Sequence, residues 1–253
     1  MIRKTRGGAK SAQDKNVGSV QELPEVSVSD DGVSRYLHLG TPWVQGSMKM
    51  AAPFDIDLEY VQRMMAWLLF ADLAQVSKGH AMQLGLGAGA ITKFCRKKLR
   101  MCCTVVELNP RVEAVCRAWF KLPHDGPMQR VVLAELDRDV INMAREWLPG
   151  VHRSAFDDPR LEIHIGDGRA FIEGSQAQFD QIVLDLTDPF GPAVALYTRD
   201  FYRICQRALK PDGVMSLHIQ SPIHRGETMA RIVASVRSVF GVVRPYLQYV
   251  PLY

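Results

Sequence analysis

The sequence lacks several features that would assign it to a membrane, secreted or metal-binding class. No apolar run approaches the ~18 residues that a transmembrane helix requires, and no apolar segment follows the basic N-terminus as in a secretory signal. The five cysteines include no Cys-x-x-Cys pair, which indicates reduced thiols. The seven histidines show no metal-ligand spacing, and we interpret His164 and His218, which lie within strand patterns, as hydrogen-bonded core residues. We therefore expect a cytoplasmic protein without a membrane segment or a metal.

The charge of the chain is too small to indicate a nucleic-acid partner. The net charge is +4, and much of it lies between Arg3 and Lys15. Residues 1–18 are rich in Gly, Lys, Ser and Gln, which predicts a disordered basic leader. The remaining length and an apolar content of 47% are typical of one large soluble α/β domain with a small extra lobe.

The pattern of apolar residues predicts two structural units after the leader. Residues 19–54 predict a small N-terminal β-lobe, with a hairpin signal at Asp30-Asp31-Gly32 and a further strand at 43–48. Residues 55–253 predict one α/β domain with a doubly wound, mostly parallel sheet, because strands alternate with helices after a helical stripe at 55–72. The predicted strands are 81–86, 102–108, 130–136, 161–165, 180–186, 213–219 and 242–248, and the predicted helices are 89–99, 110–120, 138–148, 195–209 and 226–239.

Two loops are candidates for binding a nucleoside. The segment Gly85-Leu86-Gly87-Ala88-Gly89-Ala90 follows a strand-like run and satisfies G-x-G-x-x-A, in which small residues permit close approach of the backbone to a ligand. Glu107 ends the next strand, where an acid can accept hydrogen bonds from ribose hydroxyls. A second loop, Gly166-Asp167-Gly168, follows another strand and is placed either to contact an adenine or to form an ordinary turn.

The segment Gln181–Ala193, reading QIVLDLTDPFGPA, carries two carboxylates at the end of a strand. Its apolar run predicts a strand buried on both faces, so Asp185 and Asp188 would open into the crevice where α/β sheets bind ligands. Carboxylates at this position are suited to holding a cationic amine or to accepting its proton.

Together these residues resemble the spermidine synthase (polyamine aminopropyltransferase) family. The resemblance covers about residues 20–253 and is carried by GLGAGA, VVELNPRV, DDPRLEIHIGDGRAF, FDQIVLDLTDPFGPAVALYTRDFY and ALKPDGVMSLH. It implies a small β-lobe on a Rossmann-like domain, a homodimer, and transfer of an aminopropyl group to a diamine such as putrescine. The donor would be decarboxylated S-adenosylmethionine, which is a co-substrate and not a tightly bound cofactor.

The resemblance also implies a role for each candidate residue. Asp185 would accept a proton from the attacking amine, and Asp188, Gln45 and Tyr60 would bind the amine substrate. The residues implied to bind the nucleoside are Gln21, Gly85, Gly87, Gly89, Glu107 or Glu135, Asp167, Gly168 and Pro192.

Three departures from the family pattern leave the amine acceptor open. Ala88 stands where the family's GGGDGG loop carries an acid, and a different segment after Gln45 replaces the family's Gln-x-Thr-x-x-Asp-Glu-Phe-x-Tyr entrance. The chain stops at Tyr253, about where the family continues into a last strand, which indicates an incomplete sheet edge or a shortened chain. The alternatives are a methyltransferase that uses S-adenosylmethionine, a nicotinamide oxidoreductase, and a non-catalytic nucleoside-binding relative.

One strand–helix unit occurs twice in the sequence. The residues Glu107, Leu108, Val112, Arg117 and Trp119 recur 28 positions later as Glu135, Leu136, Val140, Arg145 and Trp147. Spacing from the glycine loop favours Glu107 as the ribose acid, whereas spacing to Gly166-Asp167-Gly168 favours Glu135. We prefer Glu107, because the acid should lie on the strand next to the one that ends in the glycine loop.

Overall fold

The fold is that of a computed structural model, which describes residues 24–123, 129–135, 162–165, 168–186, 191–219 and 222–247. These residues form two sheets, a small antiparallel sheet of three strands and a larger sheet of six. None of the helices in these ranges has the length and apolarity needed to cross a membrane.

The small sheet consists of β1 (Val26–Asp30), β2 (Ser34–Leu39) and β3 (Gly46–Lys49), each antiparallel to the next. Asp31 holds the first turn, because its carboxylate accepts hydrogen bonds from the backbone N–H groups of Ser34 and Val33 and from the Tyr36 hydroxyl. These hydrogen bonds lower the pKa of Asp31 to about 2. The hairpin predicted at this point is confirmed, and β3 begins three residues later than the predicted strand.

The segment between the two sheets is less regular than the single helix predicted over 55–72. It comprises α1 (Glu59–Met64), a 3-10 helix (Met65–Phe70) and α2 (Leu73–Val76). The break between the 3-10 helix and α2 follows from Asp72. Its side chain caps α2 by accepting a hydrogen bond from the backbone N–H of Ala74, and a capping residue has extended rather than helical backbone angles.

The larger sheet is parallel throughout its described strands, as the sequence predicts. Its order is β7-β6-β5-β4-β8-β9, so the chain moves outward from β4 through β5 and β6 to β7 and then returns to β8 on the other side of β4, which reverses the order of connection there. Open α/β sheets bind ligands at such a reversal. The strands are β4 (His80–Leu84), β5 (Cys102–Glu107), β6 (Gln129–Glu135), β7 (Glu162–Ile165), β8 (Phe179–Leu184) and β9 (Leu209–Leu217).

The helices around this sheet also follow the predicted alternation. They are α3 (Ala90–Lys97), α4 (Pro110–Trp119), α5 (Gly168–Glu173), a 3-10 helix (Gly191–Tyr197), α6 (Arg199–Ala208) and α7 (Pro222–Arg237). The helix predicted over 195–209 is divided at Thr198, whose hydroxyl caps α6 by accepting from the backbone N–H of Phe201. The helix predicted over 138–148 lies outside the described residues.

The strand predicted over 242–248 is wrong for the part that the structure describes. Residues 242–247 have no regular secondary structure. Pro245 lies within this segment and cannot donate a ladder hydrogen bond. Tyr246 instead donates its hydroxyl hydrogen bond to the backbone carbonyl of Arg63, 2.5 Å away at the end of α1.

The core of the larger sheet fixes the position of β8. The side chains of Ile182, Val183 and Leu184 have no solvent exposure, because the strand is covered on both faces. One face packs on α6 through buried residues that include Phe201 and Tyr202. Burial of an aliphatic side chain contributes about 1.5–3 kcal/mol, so the end of β8 is held rigidly in the sheet.

Candidate active site

The carboxyl ends of four neighbouring strands lie in one register. Leu84 of β4 pairs with Val106 of β5 on one side and with Leu184 of β8 on the other, and Leu184 pairs with Leu217 of β9. The next residue on each strand forms a row across the edge of the sheet, Glu107, Gly85, Asp185 and His218. With ~4.8 Å between neighbouring strands, this row extends about 14 Å across the edge of the sheet.

Two backbone hydrogen bonds extend the ladder into the row. The N–H of Gly85 donates to the carbonyl of Val106 at 2.8 Å, and the N–H of His218 donates to the carbonyl of Leu184 at 3.1 Å. The residues of the row therefore keep the order of their strands beyond the point where the strands end.

The glycine loop adopts backbone angles that favour glycine at Gly85 and Gly87, the two glycines of the G-x-G-x-x-A motif, and at Gly89, which occupies one of its variable positions. Gly85, Gly87 and Gly89 have φ values of 84°, 52° and 68°, in the left-handed region that side chains disfavour. A Cβ atom at Gly85 would also lie 3.4 Å from the backbone oxygen of Asp185. The motif therefore serves a tight turn next to Asp185, with α3 beginning immediately after it at Ala90.

Buried polar groups support this loop from below. The side-chain amide of Gln83 donates to the carbonyl of Gly85 at 2.7 Å, and the Cys116 thiol donates to the carbonyl of Gly87 at 3.0 Å. The Lys93 ammonium donates to the carbonyl of Phe120 at 2.8 Å, and burial lowers the pKa of Lys93 to about 8. Each of these side chains is at least nine-tenths buried, so the loop conformation is fixed by the folded core.

The position that departs from the family pattern, Ala88, packs against the small sheet. Its side chain is 3% exposed, and a Cβ atom placed on Gly46 of β3 would lie 2.6 Å from the Ala88 Cβ. Glycine in β3 and alanine in the loop therefore allow the two backbones to approach closely. The loop presents no carboxylate at this point, and the space that an acid would occupy is filled by β3.

Glu107 joins the glycine loop to the start of α4. Its Oε2 accepts a hydrogen bond from the backbone N–H of Leu86 at 2.7 Å, and its Oε1 accepts one from the backbone N–H of Asn109 at 2.8 Å. Burial raises the pKa of the Glu107 carboxyl, although these hydrogen bonds act in the opposite direction. Each carboxylate oxygen has further acceptor capacity, so Glu107 can hold hydroxyl groups while it orders the loop.

The two candidate ribose acids occupy different positions in the sheet. Glu107 ends β5, which pairs directly with the glycine-loop strand β4. Glu135 ends β6, which pairs with β5 on the side away from β4, and Glu135 pairs with Ile165 of β7. The backbone of Glu135 is therefore two strands, about 10 Å, from β4. The second copy of the repeated unit thus adds a parallel strand beside the first.

Asp185 contacts two aromatic side chains from separate elements. The Tyr60 hydroxyl of α1 lies 3.4 Å from Asp185 Oδ2 and donates to it, and His218 Nδ1 lies 3.3 Å from Asp185 Oδ1. The rings of Tyr60 and His218 stack with centroids 4.9 Å apart. The Asp185 side chain is 23% exposed, so the carboxylate is held by neighbours and still accessible to a small molecule.

The interpretation of His218 as a core residue is wrong. Its side chain is 38% exposed and faces the Asp185 carboxylate, because His218 is the first residue after β9 and not a residue within the strand. The signal that could have identified it is the similarity between Leu184-Asp185 and Leu217-His218, since each is an apolar strand end followed by a titratable residue. His164 lies in β7, and its side chain is outside the described part of the chain.

The remaining candidate residues divide into described and undescribed positions. Gln45 immediately precedes β3, and its backbone oxygen lies 3.6 Å from where a Cβ of Gly87 would be, so it borders the glycine loop. Gly168 is the first residue of α5, and Pro192 lies in the 3-10 helix Gly191–Tyr197. Gln21, Asp167 and Asp188 lie outside the described residues. Within the described ranges, no group of three or more His, Cys, Asp or Glu side chains could hold a metal ion.

Comparison with known proteins adds two sequence relatives of stated function. A polyamine aminopropyltransferase of Nitrosomonas europaea is 78% identical over 126 residues, which cover 50% of this chain and 39% of that protein. A polyamine aminopropyltransferase of Chromobacterium violaceum is 32% identical over 197 residues, which cover 78% of this chain and 62% of that protein. The chain thus spans less than two thirds of the length of these relatives.

Two solved structures share the fold at low sequence identity. A probable spermidine synthase from Corynebacterium glutamicum has a TM-score of 0.60 at 18% identity and covers 90% of this chain and 72% of its own. Human methyltransferase-like protein 13 in complex with SAH has a TM-score of 0.52 at 20% identity and covers 74% of this chain and 75% of its own. Both support the Rossmann-like architecture.

The family described as spermine/spermidine synthase domain matches residues 114–253, which are more than half of the chain. This range includes β8, β9 and the segment QIVLDLTDPFGPA. The chain belongs to the spermine/spermidine synthase family.

Proposed function

We propose that this protein transfers an aminopropyl group from decarboxylated S-adenosylmethionine to a diamine such as putrescine, in polyamine biosynthesis. The observation that carries the proposal is the position of Asp185, between the glycine loop on β4 and the Tyr60 and His218 side chains. Membership of the family and two relatives named polyamine aminopropyltransferase support it.

The proposed reaction needs a neutral amine nucleophile held near a sulfonium carbon. The amine nitrogen forms a bond to this carbon while the carbon–sulfur bond breaks, and the bonding electrons remain on sulfur in the leaving thioether, methylthioadenosine. The amine loses one proton, and Asp185 is the proposed acceptor because a carboxylate both attracts an ammonium ion and accepts its proton. Holding the two reactants in one geometry supplies much of the remaining rate enhancement.

The proposed substrate contacts fall on the two sides of the row. On the nucleoside side, the glycine loop would border the thioadenosine and Glu107, rather than Glu135, would hold the ribose; the further proposed contacts are Gln21, Asp167, Gly168 and Pro192. On the amine side, Tyr60 and Gln45 would line the substrate together with Asp188. The exposure of the Asp185 and His218 side chains supports an open amine side.

A panel of ligands tests this proposal. Purified protein is assayed for methylthioadenosine release with decarboxylated S-adenosylmethionine and putrescine, cadaverine or spermidine, and calorimetry measures binding of methylthioadenosine, S-adenosylmethionine and NAD. Release that depends on a diamine is the expected result. Methyl transfer from ordinary S-adenosylmethionine would instead establish the methyltransferase alternative, and methylthioadenosine binding without turnover would establish a non-catalytic relative.

The environment of Ala88 is the specific observation that favours those alternatives. The family's acid is absent from the loop, and the position is enclosed by β3. Of the proposed contacts on the amine side, the carboxylates that would hold a charged amine are therefore Asp185 and Asp188. The panel of diamines examines this directly, because a weakened amine site should raise the KM for the amine and leave the affinity for methylthioadenosine unchanged.

We also propose a cytoplasmic homodimer. Three large apolar side chains near the end of the 3-10 helix Met65–Phe70 and the start of α2 are largely exposed, Leu69 at 82%, Phe70 at 75% and Leu73 at 71%. These three side chains lie within five residues of the chain, and clustered exposed apolar side chains are typical of a protein contact. Light scattering of the purified chain tests the dimer, and a monomeric mass at micromolar concentration would contradict it.

A further inference from the structure

His218 has a fixed position relative to Asp185 that arises from the backbone. Both residues follow strands that pair in parallel, since Leu184 of β8 is in register with Leu217 of β9. The backbone N–H of His218 donates to the carbonyl of Leu184, so the His218 imidazole lies beside the Asp185 carboxylate at the edge of the sheet. This arrangement requires no contribution from a flexible loop.

The orientation of the imidazole ring is set by two neighbours. Asp185 Oδ1 lies 3.3 Å from Nδ1, and the Tyr60 ring stacks on the imidazole with an interplanar angle of 29°. Among the described residues, Nε2 of His218 has no hydrogen-bond partner, and the side chain is 38% exposed. Within the described part of the chain, one ring nitrogen therefore faces a carboxylate, and the other makes no hydrogen bond.

A carboxylate that accepts the Nδ1 proton selects one imidazole tautomer. With the proton on Nδ1, the lone pair of a neutral histidine lies on Nε2, which can then act as a base. The carboxylate also stabilises the imidazolium ion formed when Nε2 gains a proton, as in other Asp–His pairs. Imidazole groups are in general stronger bases than carboxylates by about two to three pKa units.

We propose that Asp185 and His218 act together as one proton-accepting pair, with His218 Nε2 as the site that holds the proton released by the attacking amine. This inference rests on the proposed function and refines it, because the proton that the proposed function assigns to Asp185 alone is here assigned to the pair, with Asp185 holding the imidazole in position. The carbon–nitrogen bond forms as the carbon–sulfur bond breaks, the electron pair remains on sulfur, and the single amine proton ends on the imidazole. Asp185 is a carboxylate at the start and at the end of the step.

An amide replacement for histidine separates proton acceptance from positioning. In His218→Asn the side-chain amide can take the place of Nδ1 beside Asp185 and donate to its carboxylate, but it offers no basic nitrogen. We expect His218→Asn to lower kcat by about 10²–10³-fold, while the KM for decarboxylated S-adenosylmethionine changes less than threefold. Retention of kcat within threefold of wild type would show that the contact with Asp185 alone matters and would overturn the inference.

Chemical rescue supplies a readout that a structural role would not affect. His218→Ala leaves a space beside Asp185 that free imidazole can enter, so added imidazole should restore turnover at least tenfold in this variant and leave wild type unchanged. Absence of rescue in a folded His218→Ala protein that binds methylthioadenosine would contradict a proton-accepting role. Folding of each variant is checked by thermal melting.

The matched control is His38→Asn in the small sheet. His38 makes a hydrogen bond through Nδ1 to the Trp43 carbonyl at 3.1 Å, but it lies on β2 and outside the row. This variant should keep wild-type turnover. If the wild-type protein shows no aminopropyl transfer, both the proposed function and this inference are contradicted. If wild type is active and His218→Asn is equally active, only the inference is contradicted.

Discussion

The two sides of the row differ in how tightly they are held. On the β5 side, the Glu107 carboxylate is buried, and both of its oxygens accept short hydrogen bonds of 2.7 and 2.8 Å. On the β8 side, the Asp185 carboxylate is partly exposed, and its two contacts are longer, 3.3 and 3.4 Å. One sheet edge thus carries a rigid acid and an accessible acid only two strands apart.

The difference assigns separate tasks to the two sides. A buried acid that orders the glycine loop has a fixed geometry and is suited to recognising an unchanging part of a ligand. An acid with long contacts and solvent access can exchange a proton and release a product. Hydrogen bonds at catalytic residues are often long without substrate and shorten in the reactive complex, so the contacts of Asp185 are compatible with chemistry.

The largest expected effect is on the accessible side. Asp185→Asn keeps the size of the side chain and removes its charge, so it should lower kcat by about 10³-fold, or about 4 kcal/mol in the barrier. Because the nucleoside side is separate, the affinity for methylthioadenosine should change less than threefold by calorimetry. If Asp185→Asn lost methylthioadenosine affinity to the same extent as kcat, the two sides would not have separate tasks.

The second largest expected effect is on the pH dependence of stability, through the buried Lys93 below the glycine loop. The folded protein releases the proton of Lys93 at about pH 8, compared with an ordinary value of 10.5. Between these values the unfolded chain binds more protons than the folded protein, so the Lys93 contribution to stability rises with pH. Lys93→Met removes this titrating group, so it should abolish a rise in the free energy of unfolding on the order of 2 kcal/mol between pH 7 and 10.

Urea unfolding of wild type and Lys93→Met at several pH values measures this contribution. The difference between the two proteins isolates Lys93, because the buried Cys205 thiol, whose burial raises its pKa to about 12, is common to both. Lys97→Met, on an exposed position of the same helix, should keep the wild-type profile. A pH-independent difference between wild type and Lys93→Met would show that the lysine is not desolvated as the structure indicates.

The sequence predicted the fold because most of its signals are local. Runs such as Ile182-Val183-Leu184 are long enough to indicate buried strands, and the glycine loop indicates its own turn. The errors have local causes as well, since Thr198 caps a new helix within the one predicted over 195–209, and Pro245 interrupts a predicted strand. These caps and breaks act over one or two residues and are less visible than a repeated apolar pattern.

The site was less predictable because it depends on strand order and register. The sequence indicated Asp185 and the glycine loop, but it favoured Glu107 over Glu135 only through an expected strand adjacency, since both end a strand and begin the same repeated unit. Only the pairing of β4 with β5 separates them. His218 was missed for the same reason, because nothing in the sequence states that β9 pairs with β8 in a register that brings it beside Asp185.

The repeated unit provides the next test, with a matched control inside the chain. Glu107→Gln replaces one of two acceptor oxygens by an amide nitrogen, so it should weaken methylthioadenosine binding by about tenfold, or about 1.4 kcal/mol. Glu135→Gln makes the same change two strands from the glycine loop and should alter binding less than twofold. The reverse order of effects would identify Glu135 as the ribose acid. Thermal melting separates weaker binding from loss of folded protein.

The smallest expected effect comes from Tyr60, where the accessible side is least constrained. Tyr60→Phe removes the hydroxyl that lies 3.4 Å from Asp185 Oδ2 but keeps the ring that stacks on His218. A hydrogen bond of this length is weak, so kcat should fall less than fivefold. Tyr60→Ala also removes the stacked ring, and it should therefore lower kcat further by allowing His218 to turn away from Asp185. Equal kcat values for the two variants would show that the stacking does not hold the imidazole, and that the backbone register alone places His218 beside the carboxylate.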